Sequence, residues 1–139
     1  MNYLLDTCVI SELVRDNPDK KVIEWISSKT ESSLHLSVLT MGEIHKGIEK
    51  LAESKKKHRL HMWVNADLQT RFKDKILDLD LVVATKWGEL QGKAEKNGKP
   101  MPSIDGLIAA TGVVNDMVVV TRNTKDMEQS GATLIDPWA

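Results

Sequence analysis

The sequence predicts an α/β domain of three layers, a parallel sheet between two layers of helices. Three observations carry that class. Short apolar runs suited to strands alternate with stretches whose apolar residues recur every three or four positions, the signature of βαβ units. The best run, Met117-Val118-Val119-Val120-Thr121, is β-branched and shows no polar alternation, as expected of a strand buried on both faces. Turn residues such as Asn97-Gly98 and Pro100-Met101-Pro102-Ser103 fall between the segments rather than inside them.

Each element has its own basis. Tyr3-Leu4-Leu5 is a short apolar run that stops at Asp6, a first strand. Val9, Ile10, Leu13 and Val14 then lie on one face of a short helix. Asn17-Pro18 reads as a cap and first residue of a helix burying Val22, Trp25 and Ile26. Leu34-His35-Leu36-Ser37 is a second strand, followed by a helix carrying Met41, Ile44, Ile48, Leu51 and Ala52 on one side. Leu60, Val64, Leu68 and Phe72 form an i+4 row with Trp63 beside it. Ile76-Leu77, with Leu79, is a third short strand. Val83, Trp87, Leu90 and Ala94 mark the next helix, ended by Gly98 at a position that favours a left-handed backbone. Ser103 is placed to cap a helix burying Ile104, Leu107, Ile108 and Thr111. The Val118–Thr121 strand and Thr133-Leu134-Ile135 complete the series, with right-handed crossovers expected between parallel strands.

The 139 residues suit a single domain spanning 1–139. At 41% hydrophobic and 28% charged, the chain is too apolar for disorder and carries no run long enough to span a membrane. One cysteine, Cys8, excludes an intrachain disulfide and fits a reducing, cytoplasmic home, and the N-terminus lacks the pattern of a signal peptide. The net charge of -1 argues against a protein held to nucleic acid by bulk charge. The sum conceals a division, however. Residues 46–75 hold 9 basic and 4 acidic side chains, while the segments on either side are each net acidic.

Four acids fall where strands end or where the following helices begin, the edge at which open parallel sheets build their sites. Asp6 follows the first strand. Glu43 lies early in the helix after Ser37, Asp105 in the first turn after Ser103, and Asp126 just past the Val118–Thr121 strand. Each admits a structural reading. Asp6 suits an N-cap, Thr40-Met41-Gly42-Glu43 matches a capping box, Asp105 suits the helix dipole, and Asp126 suits a turn or cap. Gathered at one edge, though, four carboxylates would repel one another at a cost of several kcal/mol or raise some of their pKa values. A hard divalent cation removes that cost. Mg²⁺ and Mn²⁺ prefer such oxygens, and a cation of this kind supports phosphodiester hydrolysis.

Four blocks in order carry a family resemblance. They are Leu4-Leu5-Asp6-Thr7-Cys8-Val9-Ile10-Ser11-Glu12, Ser37-Val38-Leu39-Thr40-Met41-Gly42-Glu43-Ile44, Pro102-Ser103-Ile104-Asp105-Gly106-Leu107-Ile108-Ala109-Ala110, and Val120-Thr121-Arg122-Asn123-Thr124-Lys125-Asp126. Together they resemble PIN-domain ribonucleases, and more narrowly the VapC/FitB-type toxins of bacterial toxin–antitoxin pairs. The resemblance implies a five-stranded parallel sheet with helices on both faces. It implies that Asp6, Glu43, Asp105 and Asp126 are the catalytic residues of an acidic Mg²⁺ site, with Asp6 and Asp105 as direct ligands and Mn²⁺ as a substitute. It places Thr121 and Asn123 beside the metal. The implied activity is endonucleolytic cleavage of RNA, and the implied partners are a cognate antitoxin and a second copy of the chain. Cys8 stands where many relatives carry Asn and Met127 where they carry Phe, and neither change removes a carboxylate.

Lys46, Lys50, Lys55, Lys56, Lys57 and Arg59 are either a solvated helix face or a track for RNA phosphates. Arg122 and Lys125 bracket the loop that holds Asn123 and are the stronger RNA-binding candidates. Cys8 reads as a small hydrophobe. His58 and His61 lack a third ligand at zinc-site spacing. Two other α/β activities fit less well. A phosphoacceptor receiver wants paired acids after its first strand, and an Asp-x-Asp phosphatase wants an acid where Cys8 stands. A catalytically inactive fold that only binds RNA or protein would have no need of all four acids.

Overall fold

A computed structural model describes residues 1–139. The elements run β1 (Tyr3–Leu5), α1 (Thr7–Leu13), α2 (Lys20–Ser27), β2 (Leu34–Ser37), α3 (Val38–Glu49), α4 (Lys55–Met62), α5 (Gln69–Arg71), β3 (Ile76–Leu77), α6 (Leu81–Lys96), α7 (Ser103–Val114), β4 (Val118–Val120), α8 (Thr124–Met127) and β5 (Leu134–Ile135). The five strands form one parallel sheet in the order β3-β2-β1-β4-β5. The chain builds outward from β1 to β3, then crosses back to add β4 on the other side of β1. The switch point therefore lies between β1 and β4, where open α/β sheets place their sites.

Alternate residues of the central strands face two separate apolar layers. Tyr3, Leu5, Val118 and Val120 join Leu34 and Leu36 on one face, packed by Val9, Ile10, Val22, Ile26, Ile44, Ile48, Val64, Leu68 and Phe72. Leu4 and Val119 face the other way, onto Ile108, Ala109 and Met127. This two-sided burial explains why the strands read as unbroken apolar runs, since each such side chain contributes about 1.5–3 kcal/mol when taken from water. α6 packs on α7 and thickens the second layer. Gly112 lets α7 lie close to the sheet, because a Cβ there would come within 2.5 Å of Val119 Cγ2. No helix is long and apolar enough to cross a membrane.

Several helix starts differ from expectation. Asp19, not Asn17, caps α2 by accepting from Lys21 N at 2.8 Å. β2 runs into α3 without a loop, so Ser37 is the cap and accepts from Leu39 N at 3.0 Å. Thr40 and Glu43 therefore lie inside the helix, and the capping-box reading fails. α7 begins at Ser103 with Pro102 ahead of it, and no side chain caps it. α3 ends at Glu49, which leaves Leu51 and Ala52 outside the helix and exposed. Gly98 ends α6 with φ of +70°, as expected.

The i+4 row on Leu60, Val64, Leu68 and Phe72 is kept, but α4 and α5 are joined by π-helical turns over Trp63–Leu68. In an α-helix, four-residue steps drift about 40° each. The wider π turn absorbs that drift and keeps the row on the core.

Candidate active site

The site grows from the carboxyl end of β1. Asp6 is only 2% exposed, and every part of it is held. Its N–H donates to Val120 O at 2.9 Å, extending the β1–β4 ladder by one residue. Its Oδ1 accepts from Thr7 N at 2.8 Å, so it also serves as the N-cap of α1. Its Oδ2 accepts from Thr121 Oγ1 at 2.7 Å. Thr121 is fully buried at the end of β4 and in turn accepts from Asn123 N at 2.9 Å. Asn123 thus acts on the site through its main chain, and its side chain makes no cap to α8.

Thr7 connects Asp6 to the next acid. Its Oγ1 donates to Glu43 Oε1 at 2.6 Å and lies 3.2 Å from Thr40 Oγ1. One carboxylate oxygen of Glu43 is therefore fixed by α1, while the side chain stays half-buried. Nothing local in the sequence marks Thr7 and Thr40 as site residues. Their role depends on contacts more than 30 residues apart, which a hydroxyl directly after Asp6 does not by itself predict.

Asp105 enters from the first turn of α7. The segment leading into that helix is held by Gln91, whose side-chain amide donates to Met101 O at 2.9 Å and accepts from Met101 N at 3.1 Å. Burial, then the charges of Asp6, Asp126 and Glu43 in that order, pushes the Asp105 carboxyl up to about 6. The other three acids all act on this one group, which places each of them within charge–charge range of Asp105. Asp126, on the exposed side of α8, completes the set. As they stand, no three His, Cys, Asp or Glu side chains converge closely enough to hold a metal ion together, so a bound cation would have to draw the acids inward. The cluster is an open rim of oxygens, with Asp6 fixed and the rest partly solvated.

Cys8 borders Asp6, with Sγ 3.7 Å from Asp6 Oδ2 and 3.7 Å from Thr121 Oγ1, and it accepts from Arg122 N at 3.5 Å. Burial and then the Asp6 charge push its thiol up to about 11. Cys8 is therefore a protonated spacer, as the sequence suggested, and not a nucleophile.

The basic candidates divide. Lys46, Lys50, Arg122 and Lys125 are exposed. Lys57 is buried, with Nζ donating to Glu49 O, Leu51 O and Glu53 Oε1 at 3.3, 3.1 and 3.0 Å. It ties the end of α3 to α4 and is unavailable to RNA. Beside Glu43 lies a groove of about 500 Å³ between α1, α3 and α4, with Val14, Ile44, Ile48, Leu60 and Trp63 in its lining.

Known proteins share this fold. The PIN domain family matches residues 3–130. The chain is 32% identical to the VapC ribonuclease Y4jK of Sinorhizobium fredii, over 97% of this chain and 96% of that protein. It is 33% identical to toxin FitB of Neisseria gonorrhoeae, over 97% of each. Among solved structures, FitAB bound to an IR36 DNA fragment superposes with a TM-score of 0.93 at 34% identity, covering 99% of this chain and 96% of the other. The five-stranded parallel sheet expected from the four sequence blocks is thus found both in this chain and in the family, and the chain belongs to the PIN-domain family, among its VapC/FitB-type toxins of toxin–antitoxin pairs.

Proposed function

We propose that the chain is a metal-dependent endoribonuclease whose cation, Mg²⁺ or Mn²⁺, is held by Asp6, Asp105, Glu43 and Asp126. The observation that carries this reading is the convergence of Asp6, Asp126 and Glu43 on Asp105, whose carboxyl they and burial raise, since a partly desolvated cluster of acids repels itself until a cation or a proton relieves it. The donor set fits. All four side chains offer hard carboxylate oxygens, the neighbouring Cys8 stays a protonated thiol, and a loose set of acids suits an ion that keeps several of its waters. When bound, such an ion polarises a phosphoryl oxygen and lowers the pKa of water.

The chain's own residues supply position. Thr7 N and Thr121 Oγ1 fix both oxygens of Asp6, so the ligand is in place before substrate arrives. Thr7 fixes one oxygen of Glu43 and leaves the other free to accept a hydrogen bond from the attacking water. Asp105 is ionised at neutral pH and loses that state as the medium approaches pH 6, where protons compete with the cation. Asp126, the most exposed, reaches the site directly or through water. Lys46, Lys50, Arg122 and Lys125 offer phosphate contacts around the rim.

The groove beside Glu43, lined by apolar side chains together with Arg15, Asp16 and Lys56, supports a cognate antitoxin as partner, for a segment seated there would lie against Glu43 at the edge of the acidic site. The test of the enzyme reading is cleavage of RNA by the isolated chain with Mg²⁺ or Mn²⁺, with and without EDTA. Cleavage that EDTA stops and excess cation restores, and that Asp6→Asn abolishes, supports the reading. Cleavage unaffected by EDTA, or absent with both cations, overturns it.

A further inference from the structure

Arg122 occupies an unusual place for a cation. It directly follows Thr121, and its N–H reaches Cys8 Sγ beside Asp6, so its backbone is part of the network around the site. Its guanidinium nevertheless forms none of the four ion pairs in the structure, which are Arg15–Glu12, Lys57–Glu53, Arg71–Glu31 and Lys86–Glu89. It lies instead over the ring of Trp138, with Cζ 4.2 Å from the ring centroid. The other cation–ring approaches in the molecule range from 5.1 to 5.5 Å.

Trp138 is well anchored for this task. It sits just past β5, whose Ile135 pairs with Val120 and accepts from Thr121 N at 2.9 Å. Trp138 N donates to Asp136 Oδ1 at 2.8 Å, and Pro137 between them is buried. The ring packs on the larger core layer, while its indole N–H is buried without a partner. The ring is thus held by its faces and not by a hydrogen bond. A guanidinium left free at this backbone position could swing toward the carboxylates and pair with them. Stacking on Trp138 keeps Arg122 apart from those acids with all five of its N–H donors open.

We infer that Arg122 binds a phosphate of the RNA flanking the scissile bond, and that Trp138 is the positioning residue that holds it ready at the rim. This rests on the endoribonuclease reading for the identity of the ligand, but its test is a binding measurement separable from cleavage. The probe is a fluorescein-labelled, mixed-sequence 20-nucleotide single-stranded RNA, bound to the Asp105→Asn chain, whose lack of cleavage keeps the probe intact.

Adding Arg122→Gln raises Kd by about tenfold or more, the usual cost of losing a charge-assisted phosphate contact. It also reduces the slope of log K against log salt by about 0.7, one phosphate on a single strand. Trp138→Phe and Trp138→Leu raise Kd by roughly 2- to 5-fold in that increasing order, following the strength of the ring quadrupole. In the Arg122→Gln background both become silent, because a positioning residue has nothing left to position. Trp138→Phe keeps the apolar bulk and guards against a folding defect. The inference is overturned if Arg122→Gln leaves the salt slope unchanged, if the Trp138 effects add fully to that of Arg122→Gln, or if the parent chain binds no RNA. A parent that binds RNA normally while the unsubstituted chain cuts none would sink the enzyme reading alone.

Discussion

Replacing Asp105 with Asn should stabilise the metal-free chain, the reverse of what losing a functional side chain usually does. The carboxyl titrates at about 6 in the folded protein against an ordinary 3.8. Two pKa units correspond to about 3 kcal/mol at most. The group is only half-buried, and solvent screening reduces this to roughly 1.5 kcal/mol. A first-turn carboxylate also gains about 0.3–1 kcal/mol from the helix dipole, which Asn forfeits. The net gain is about 1 kcal/mol, or roughly 2–5 °C in Tm for a domain of this size.

The pH sign follows from the same shift. The folded state holds the proton more tightly, so wild-type stability is present in full below pH 3.8 and is lost as pH rises through about 6. The advantage of Asp105→Asn is therefore largest above pH 6 and falls to about half by pH 5. The assay is thermal unfolding of both chains in EDTA at pH 7.5 and pH 5, then at pH 7.5 with millimolar Mg²⁺. Cation should raise the wild-type Tm and leave Asp105→Asn nearly unmoved, reversing their order. If Asp105→Asn is the less stable chain in EDTA at pH 7.5, or if Mg²⁺ raises both equally, the four acids do not share one charged site.

Three further outcomes are expected. Thr7→Val removes the hydrogen bond that fixes Glu43, and kcat for RNA cleavage should drop about tenfold with KM little changed, a split visible in steady-state kinetics. Cys8 should react with iodoacetamide at pH 8 about a hundredfold more slowly in the native chain than in urea, since a thiol titrating at about 11 has that much less thiolate. Mass spectrometry of the adduct reads this, and equal rates would contradict it. Gly112→Ala drives a methyl into Val119, which is fully buried and has no flexible end to yield, so urea unfolding should show a loss of about 1–3 kcal/mol.

The parts of the fold legible in the sequence are those set by local pattern. Unbroken apolar runs mark β1 and β4 because both faces of those strands are buried, and Asp6, Glu43, Asp105 and Asp126 stand out because they fall at strand ends or in the helices that follow them. Helix starts were less legible. Thr40 to Glu43 has capping-box spacing, yet a strand that enters its helix directly moves the cap three residues earlier, to Ser37. The i+4 row from Leu60 to Phe72 held a clue that an α-helical reading passes over, for a strict four-residue step needs wider turns than an α-helix provides. What joins Thr7 to Glu43, or Arg122 to Trp138, was not legible at all. Those contacts depend on strand order, and only the β3-β2-β1-β4-β5 sheet brings them together.

The four acids can be tested most directly by locating the cation itself. Crystals of the chain soaked in Mn²⁺ should show one anomalous peak between Asp6 and Asp105, with carboxylate oxygens of both at about 2.0–2.2 Å and waters filling much of the remaining shell. Glu43 and Asp126 should approach that ion directly or through water. A chain that takes up no Mn²⁺ at millimolar concentration, or binds it away from Asp6, would contradict the shared metal site and the chemistry derived from it.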